Sequence, residues 1–172
     1  MRTLRIATAL LSASTLILGS WAVVVARDDE ISAILPVTGT LEVAWQPGGT
    51  FDVQDRVFQF RDYAVGGSTE GLSDPRLVGQ VEAGWSWDVQ ASGDQPMPAW
   101  GTMTISAGDG SWSGTFTGIR RDDLADVAVR AFLFGTGSYE GLCATLGIEA
   151  SDMAGPSSWI VDGVVHPVPM AG

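Results

Sequence analysis

The chain contains no lysine, one cysteine and one histidine among its 172 residues. Its nine basic residues are all arginine and face 20 acidic residues, which gives a net charge of -11 at pH 7. Clustered cations supply most of the affinity for nucleic-acid phosphates, and this composition does not provide them. One histidine excludes a metal centre built from several histidines. We therefore expect no nucleic-acid partner and no metal site, and no motif indicates a cofactor.

A single cysteine, Cys143, excludes an internal disulfide, so it could pair only between chains. We interpret it as a small buried side chain, and the fold must be stabilised by its core alone. The pair Cys143 and His166 is a conceivable nucleophile and base, as is a serine with His166 and Asp162. Neither pair has a supporting local motif, because no G-x-S-x-G elbow is present.

The N-terminus has the pattern of an export signal. Arg2 and Arg5 precede an uncharged run over residues 6–26, which ends at Arg27. A basic start, an apolar centre and small residues before a polar stretch predict a signal peptide over residues 1–26 and a secreted or extracytoplasmic single domain over residues 27–172. The alternative is an uncleaved membrane anchor, because 21 apolar residues are long enough to span a bilayer.

Hydrophobic residues alternate with polar residues nearly everywhere in the rest of the chain. In residues 76–90, for example, Trp85 and Trp87 lie on one face, and Glu82 and Asp88 lie on the other. A period of two is typical of strands with one buried face. We predict an all-β fold, an eight-stranded antiparallel β-barrel preceded by an N-terminal signal or anchor helix, with a two-sheet sandwich as the alternative. The predicted strands are residues 37–45, 56–65, 76–90, 100–107, 111–119, 127–135, 139–150 and 159–166.

The segment FGTGSYEGL joins two of these strands through Gly135, Gly137 and Gly141. A phosphate-binding loop requires a following helix, whereas the residues after this corner alternate like a strand. We interpret Gly135 and Gly137 as turn residues with positive φ, and Gly141 as a point where the next strand bends.

This segment, together with the preceding WGTMTISAGDGSWSGTFTG, resembles the late hairpins of the allene oxide cyclase and dirigent-type β-barrel superfamily. The resemblance extends over about residues 37–168 and is specific only over residues 100–142. It implies an eight-stranded antiparallel barrel with a central cavity, often assembled as a trimer. Some members guide the cyclisation or coupling of hydrophobic molecules. No catalytic motif of the family matches this chain, so the resemblance assigns no catalytic residue.

Aromatic residues are the main functional signal. We predict that a pocket for an apolar ligand is formed by Trp85, Trp87, Trp100, Trp112, Arg130 and Tyr139, although core packing is the simpler role of the tryptophans. The favoured function is non-catalytic binding of a small apolar ligand, or self-assembly as a homo-oligomer. One alternative is a cyclase- or isomerase-like enzyme that acts on a hydrophobic substrate in the barrel cavity. The other is a membrane-anchored structural protein of the cell surface.

Overall fold

The computed structural model describes residues 34–91, 96–120, 126–150 and 156–168. They belong to one compact unit, residues 32–172. The predicted signal or anchor helix at residues 1–26 lies outside the described residues. Within the described ranges, no helix is long and apolar enough to cross a bilayer. The regular structure in these ranges consists of a 3-10 turn, Pro75–Leu77, and nine strands: β1 Leu35–Trp45, β2 Thr50–Gln54, β3 Val57–Ser68, β4 Gln80–Gln90, β5 Met97–Ala107, β6 Gly110–Arg120, β7 Val127–Gly137, β8 Leu142–Ala150 and β9 Ser157–Pro167.

The strands form one antiparallel sheet that closes into a ring. Their order is β1-β9-β8-β7-β6-β5-β4-β3-β2. The ring closes because residues 42–45 of β1 pair with residues 65–68 of β3. β2 pairs with the other half of β3, residues 57–61. Because β1 and β2 both lie on the same side of β3, they occupy one position, and the ring has eight strand positions.

The predicted all-β antiparallel fold is confirmed, whereas the predicted number of eight strands is wrong for the described residues. The additional strand is β2, which has no counterpart among the predicted strands. The chain leaves the strand conformation after β1 because Pro47 has no backbone N–H and because Gly48 and Gly49 have φ values of 144° and 87°. Pairing resumes at Thr50, so one strand position is filled by two segments.

The predicted alternation in β4 is confirmed, since Val81, Ala83, Trp85 and Trp87 are all buried. The strand begins at Gln80, however, and not at residue 76. Pro75 starts the 3-10 turn instead, and the carboxylate of Asp74 caps it by accepting a hydrogen bond from the backbone N–H of Arg76 at 3.0 Å. The predicted 15-residue strand is therefore an 11-residue strand preceded by a capped turn.

The interior of the ring is filled by side chains from every ring strand. The four largest aromatic residues at its centre are at most 2% exposed: Trp85, Trp112, Phe116 and Trp159. The Trp85 ring lies 4.3 Å from the Phe116 ring and 5.4 Å from the Trp159 ring, measured between centroids. Aromatic packing of this kind supplies a large part of the buried apolar area.

One end of the ring, here called the capped end, is covered by the β3–β4 connection, residues 69–79. Ser73 donates its backbone N–H to the carbonyl of Thr38 in β1 at 2.8 Å. On the opposite side of the ring, the Trp112 indole in β6 donates to the carbonyl of Arg76 at 2.7 Å. The connection thus spans the ring, and its Leu77 is fully buried. The other end, where β6 ends and β7 begins, is called the aromatic end.

Gly101 gives a test of how tightly the ring is packed. A Cβ atom at Gly101 would collide with the carbonyl oxygen of Gly84 and would lie 2.6 Å from the Phe116 ring, whereas a Cβ at Gly84 would meet only the Thr102 hydroxyl at 3.5 Å. We expect Gly101→Ala to lower the free energy of unfolding by about 1–3 kcal/mol. The matched variant Gly84→Ala should be neutral or slightly stabilising. Urea denaturation measures both, and equal effects would contradict the packing described here.

The cap at Asp74 predicts a pH dependence of stability. The Arg76 guanidinium donates a hydrogen bond from Nη2 to Oδ2 of Asp74 at 2.6 Å, and this bond holds the pKa of the Asp74 carboxyl below its ordinary value. A lowered pKa in the folded state stabilises the fold above about pH 4, and this contribution is lost as the pH falls through the lowered pKa. Asp74→Asn should therefore lose less stability than the wild type between pH 5 and pH 2. The exposed Glu140→Gln should behave like the wild type in the same denaturation series.

Candidate functional site

Four aromatic rings line the interior of the aromatic end: Trp45, Phe60, Tyr63 and Trp87. The Phe60 and Trp87 rings are stacked with centroids 4.7 Å apart. Tyr63 lies 5.0 Å and Trp45 lies 5.8 Å from the same indole. Unlike the central residues, Trp45, Phe60 and Tyr63 are only half-buried. Three of the four rings are therefore accessible from solvent at this end.

A β-bulge in β3 brings two of these rings together. Phe60 pairs with Trp87 and Tyr63 pairs with Trp85, so that two residues of β3, Arg61 and Asp62, lie opposite one residue of β4, Ser86. The additional residue allows both Phe60 and Tyr63 to face inward, whereas strict alternation would place them on opposite faces. Asp62 has a positive φ of 55° at this point.

The aromatic surface continues beyond the ring onto the β2–β3 hairpin. Phe51 of β2 lies beside Phe60, with centroids 5.0 Å apart, and stacks on Phe58 at 6.0 Å. Phe51 and Val53 are 53% and 51% exposed. The result is a chain of neighbouring rings from the exposed Phe51 to the buried Trp85, which is 6.3 Å from Trp45.

One cation lies on the interior face at this end. Trp112 and Phe116 face inward on β6, and the same alternation turns Arg120 inward at the last position of the strand. Its guanidinium lies 5.2 Å from the centre of the Trp87 ring, a distance typical of cation–π contacts. Burial lowers the pKa of Arg120 from its ordinary value, but arginine stays charged at neutral pH. Arg120 can therefore contact a negative or hydrogen-bond-accepting group.

The interior-facing positions of the described strands carry no Asp, Glu or His. Glu82 and Asp88 lie opposite the tryptophan face of β4, and Asp88 pairs with the Arg61 guanidinium at 2.6 Å. Glu42 is exposed on β1. The interior positions of the described strands therefore provide no carboxylate or imidazole for acid–base catalysis. The interior does contain a buried polar atom, the indole Nε1 of Trp85, which has no hydrogen-bond partner among the described residues.

Of the six predicted ligand-binding residues, only Trp85 and Trp87 belong to the chain of rings that begins at the aromatic end. Trp112 stacks on Tyr139 at 5.2 Å below the capped end, where the Tyr139 hydroxyl donates to the carbonyl of Ala107 at 3.0 Å. Trp100 lies on the outer face under the Arg61 guanidinium, 4.9 Å from it. Arg130 is exposed on the outer face of β7.

The residues that complete the aromatic end, Phe60, Tyr63 and Arg120, are absent from the predicted set. The bulge that turns Phe60 and Tyr63 to one face coincides with a change of phase in the alternation, from Phe60 to Tyr63 across two charged residues, which the prediction did not use. The inward position of Arg120 follows from the alternation of β6, once the tryptophan face is known to be the interior face.

The predicted glycine hairpin between β7 and β8 is confirmed, since these strands pair antiparallel on either side of the turn. Gly137 and Gly141 have positive φ values of 65° and 83°. Gly141 lies in the turn before β8, so the prediction that it bends a strand over residues 139–150 is wrong. Gly135, in contrast, does not have a positive φ, so the prediction for this residue is wrong. It is required for space, because a Cβ there would collide with the backbone of Tyr139.

Four surface clefts in the described part of the chain have volumes of about 260, 690, 410 and 180 Å³. None of these four is lined by the six predicted ligand-binding residues or by the four rings of the aromatic end. The centre of the ring is occupied by Trp85, Trp112, Phe116 and Trp159. The centre of the ring is therefore packed, and the aromatic end offers half-buried ring surfaces rather than one of these clefts.

Cys143 and His166 are adjacent on the outer face, where they are cross-strand neighbours. The Cys143 sulfur lies 3.3 Å from both ring nitrogens of His166. An atom at equal distance from both nitrogens does not lie along the axis of either, so the contact is not a directed thiol–imidazole hydrogen bond. Burial raises the pKa of the Cys143 thiol, which is the opposite of what an activated nucleophile requires.

The described residues contain no group of three or more His, Cys, Asp or Glu side chains that could hold a metal ion. No protein-family model matches the chain, and neither a curated protein nor a solved structure matches it. The functional argument therefore depends on the geometry of this molecule.

The environment of Cys143 predicts a slow thiol. At pH 7 we expect iodoacetamide to alkylate the folded protein more slowly than the protein unfolded in urea, because a raised pKa reduces the thiolate fraction. His166→Gln should leave this rate within about threefold, since no directed hydrogen bond is lost. Mass spectrometry over time measures both rates. Alkylation faster than in the unfolded chain, together with a large decrease in His166→Gln, would indicate a catalytic pair.

Proposed function

We propose that this protein is a non-catalytic binding protein that takes a small apolar ligand at the aromatic end of its closed sheet. The observation that carries the proposal is the continuous aromatic surface from the exposed Phe51 to the buried Trp85. Exposed aromatic side chains in contact with each other are costly in water and are typical of binding surfaces.

The chemistry of this end indicates the kind of ligand. Trp45, Phe60 and Tyr63, the half-buried rings of this end, present ring surfaces that favour a planar or ring-containing molecule. Arg120 adds one cation at the same place, so a ligand with an acceptor or anionic group would gain a charge-assisted contact.

We further propose that the closed sheet of nine strands is a β-barrel of the allene oxide cyclase and dirigent type. Eight strand positions in the ring and the glycine hairpin at residues 135–141 support this proposal. The packed centre differs from the open cavity that the resemblance implies. Residues 1–26 predict either export by a cleaved signal peptide or retention by a membrane anchor, and both stay predictions. The alternative function, an anchored structural protein, depends on retention of that segment.

Catalysis is the weaker alternative. A cyclase- or isomerase-like enzyme needs groups that move protons or stabilise charge at the reacting atoms. Among the described interior positions, Arg120 and the Tyr63 hydroxyl are the candidates, and no carboxylate accompanies them. Binding requires only the aromatic surface and is therefore preferred.

The test uses the fluorescent probe 8-anilinonaphthalene-1-sulfonate, which has fused rings and one negative charge. We expect saturable binding to the native protein. Phe60→Leu should weaken it about 2- to 12-fold, which corresponds to loss of one aromatic contact of about 0.5–1.5 kcal/mol. Arg120→Gln should weaken it as well, because the sulfonate loses its cation.

Trp100→Phe is the matched control, because Trp100 is an aromatic residue on the outer face. It should bind the probe like the wild type. Near-UV circular dichroism identifies any variant that has lost its native packing, since loosely packed states bind this probe non-specifically. If Phe60→Leu and Arg120→Gln are native and bind with wild-type affinity, the proposed site is wrong.

A further inference from the structure

The side chain of Arg61 lies on the outer face of the β3 bulge and reaches the backbone that carries the stacked rings of the aromatic end. Its Nη1 donates a hydrogen bond to the carbonyl oxygen of Phe60 at 2.8 Å and another to that of Trp87 at 3.1 Å. Phe60 and Trp87 are directly opposite each other across β3 and β4, and this pair is here called the aromatic rung. One guanidinium nitrogen therefore bridges the two strands at the aromatic rung.

Two further contacts hold the guanidinium at this place. Its Nη2 lies 2.6 Å from Oδ1 of Asp88, and its central carbon lies 4.9 Å from the centroid of the Trp100 ring. The planar fork of an arginine can bond carbonyl and carboxylate oxygens through different nitrogens while its face packs on an aromatic ring. Contacts on the outer face thus fix the guanidinium, and its bonds to the carbonyls fix the aromatic rung in turn.

The bulge is the place where the sheet needs support from side chains. Arg61 and Asp62 both lie opposite Ser86, and a bulge disrupts the regular backbone hydrogen bonds between its strands. The hydroxyl of Ser86, a residue that is only 4% exposed, accepts a hydrogen bond from the backbone N–H of Asp62 at 3.1 Å. Two outer-face side chains, Arg61 and Ser86, therefore connect β3 to β4 where the backbone ladder is disrupted.

The backbone of the aromatic rung determines where its rings point. Each Cα–Cβ bond has a fixed direction relative to its strand, so a rotation of the backbone at Phe60 moves the ring farther than it moves the Cα atom. The Phe60 and Trp87 rings are nearly parallel, at 7°, with centroids 4.7 Å apart. A stack of two rings is lost when either ring turns, so it depends on both backbone positions being held.

We propose that Arg61 is a positioning residue for the ligand site: from the outer face it holds the aromatic rung at the bulge, so that the Phe60 and Trp87 rings stay stacked on the inner face. Its role in binding rests on the proposed function, whereas its effect on the rings is a property of the unliganded protein. The alternative role is a surface ion pair with Asp88, which would contribute little to stability and would leave the rings unaffected.

Proton NMR of the unliganded protein tests the effect on the rings. The indole of Trp87 shifts the ring protons of the stacked Phe60 upfield, and Phe60→Leu identifies these signals by their loss. Arg61→Gln should move them downfield, toward their positions in the urea-unfolded chain, because the ring is no longer held over the indole. The matched control is Asp88→Asn, which breaks the ion pair and leaves both carbonyl bonds of Arg61 in place. It should keep the upfield shift.

Titration with 8-anilinonaphthalene-1-sulfonate tests the effect on binding. Arg61→Gln should weaken binding of the probe about 2- to 12-fold, as Phe60→Leu does, because the same aromatic contact is lost. Because the probe is anionic, the loss of a cation needs its own matched control, which is Arg56→Gln. Arg56 is exposed in the turn between β2 and β3, and its substitution removes the same charge without changing the aromatic rung. It should bind the probe like the wild type.

An unchanged Phe60 shift in native Arg61→Gln would overturn the proposal, whatever its affinity for the probe, and so would an equal loss of the shift in Asp88→Asn. Loss of the shift in Arg61→Gln together with a wild type that does not bind the probe would support the positioning of the rings and contradict the proposed ligand site. If near-UV circular dichroism shows that Arg61→Gln is not native, Arg61→Lys replaces it. Lysine keeps the charge beside Asp88 but has no planar fork, so the Phe60 signals should move in the same direction by a smaller amount.

Discussion

The pairing of β1 with β3 is the constraint on which the rest of the molecule depends. Residues 42–45 and 65–68 join the two sides of a sheet that would otherwise be open. Closure gives every ring strand two neighbours and defines an interior that water cannot enter from an edge. The buried residues contributed by all eight ring positions then pack around Trp85, Trp112, Phe116 and Trp159.

Closure also makes the two ends of the ring different. At the capped end, the connection over residues 69–79 reaches from β1 to β6. Within it, the Thr69 hydroxyl accepts a hydrogen bond from the backbone N–H of Gly79, and Asp74 pairs with Arg76. At the aromatic end, three of the four lining rings stay half-buried, and Arg120 is the charged group among them. Among the described residues, the half-buried rings of Trp45, Phe60 and Tyr63 therefore lie at the end of the ring opposite the β3–β4 connection.

Local patterns predicted the strands well, because each depends on residues a few positions apart. The alternation around Trp85 separated the two faces of β4, and the glycines at 135 and 137 predicted a turn. Features that depend on distant residues were not predictable in this way. The bulge at residues 60–63 arises where β3 pairs with β4. Trp112 and Tyr139 lie at the capped end and Trp87 lies at the aromatic end, and this separation depends on the position of each residue along its strand in the closed ring. A residue list based on aromatic type therefore combined core, rim and outer-face residues.

The ring order has a consequence for how the chain acquires its structure. β1 pairs with β9, so strands more than 100 residues apart in sequence must meet before the sheet can close. Pairing between such distant segments pays its loop-closure entropy first and is intrinsically slow. Until Ser157–Pro167 is available, β1 and β8 each present an unpaired edge to other chains. A translation product that stops before β9 would consequently be prone to aggregation, although it would contain nearly all of the aromatic core.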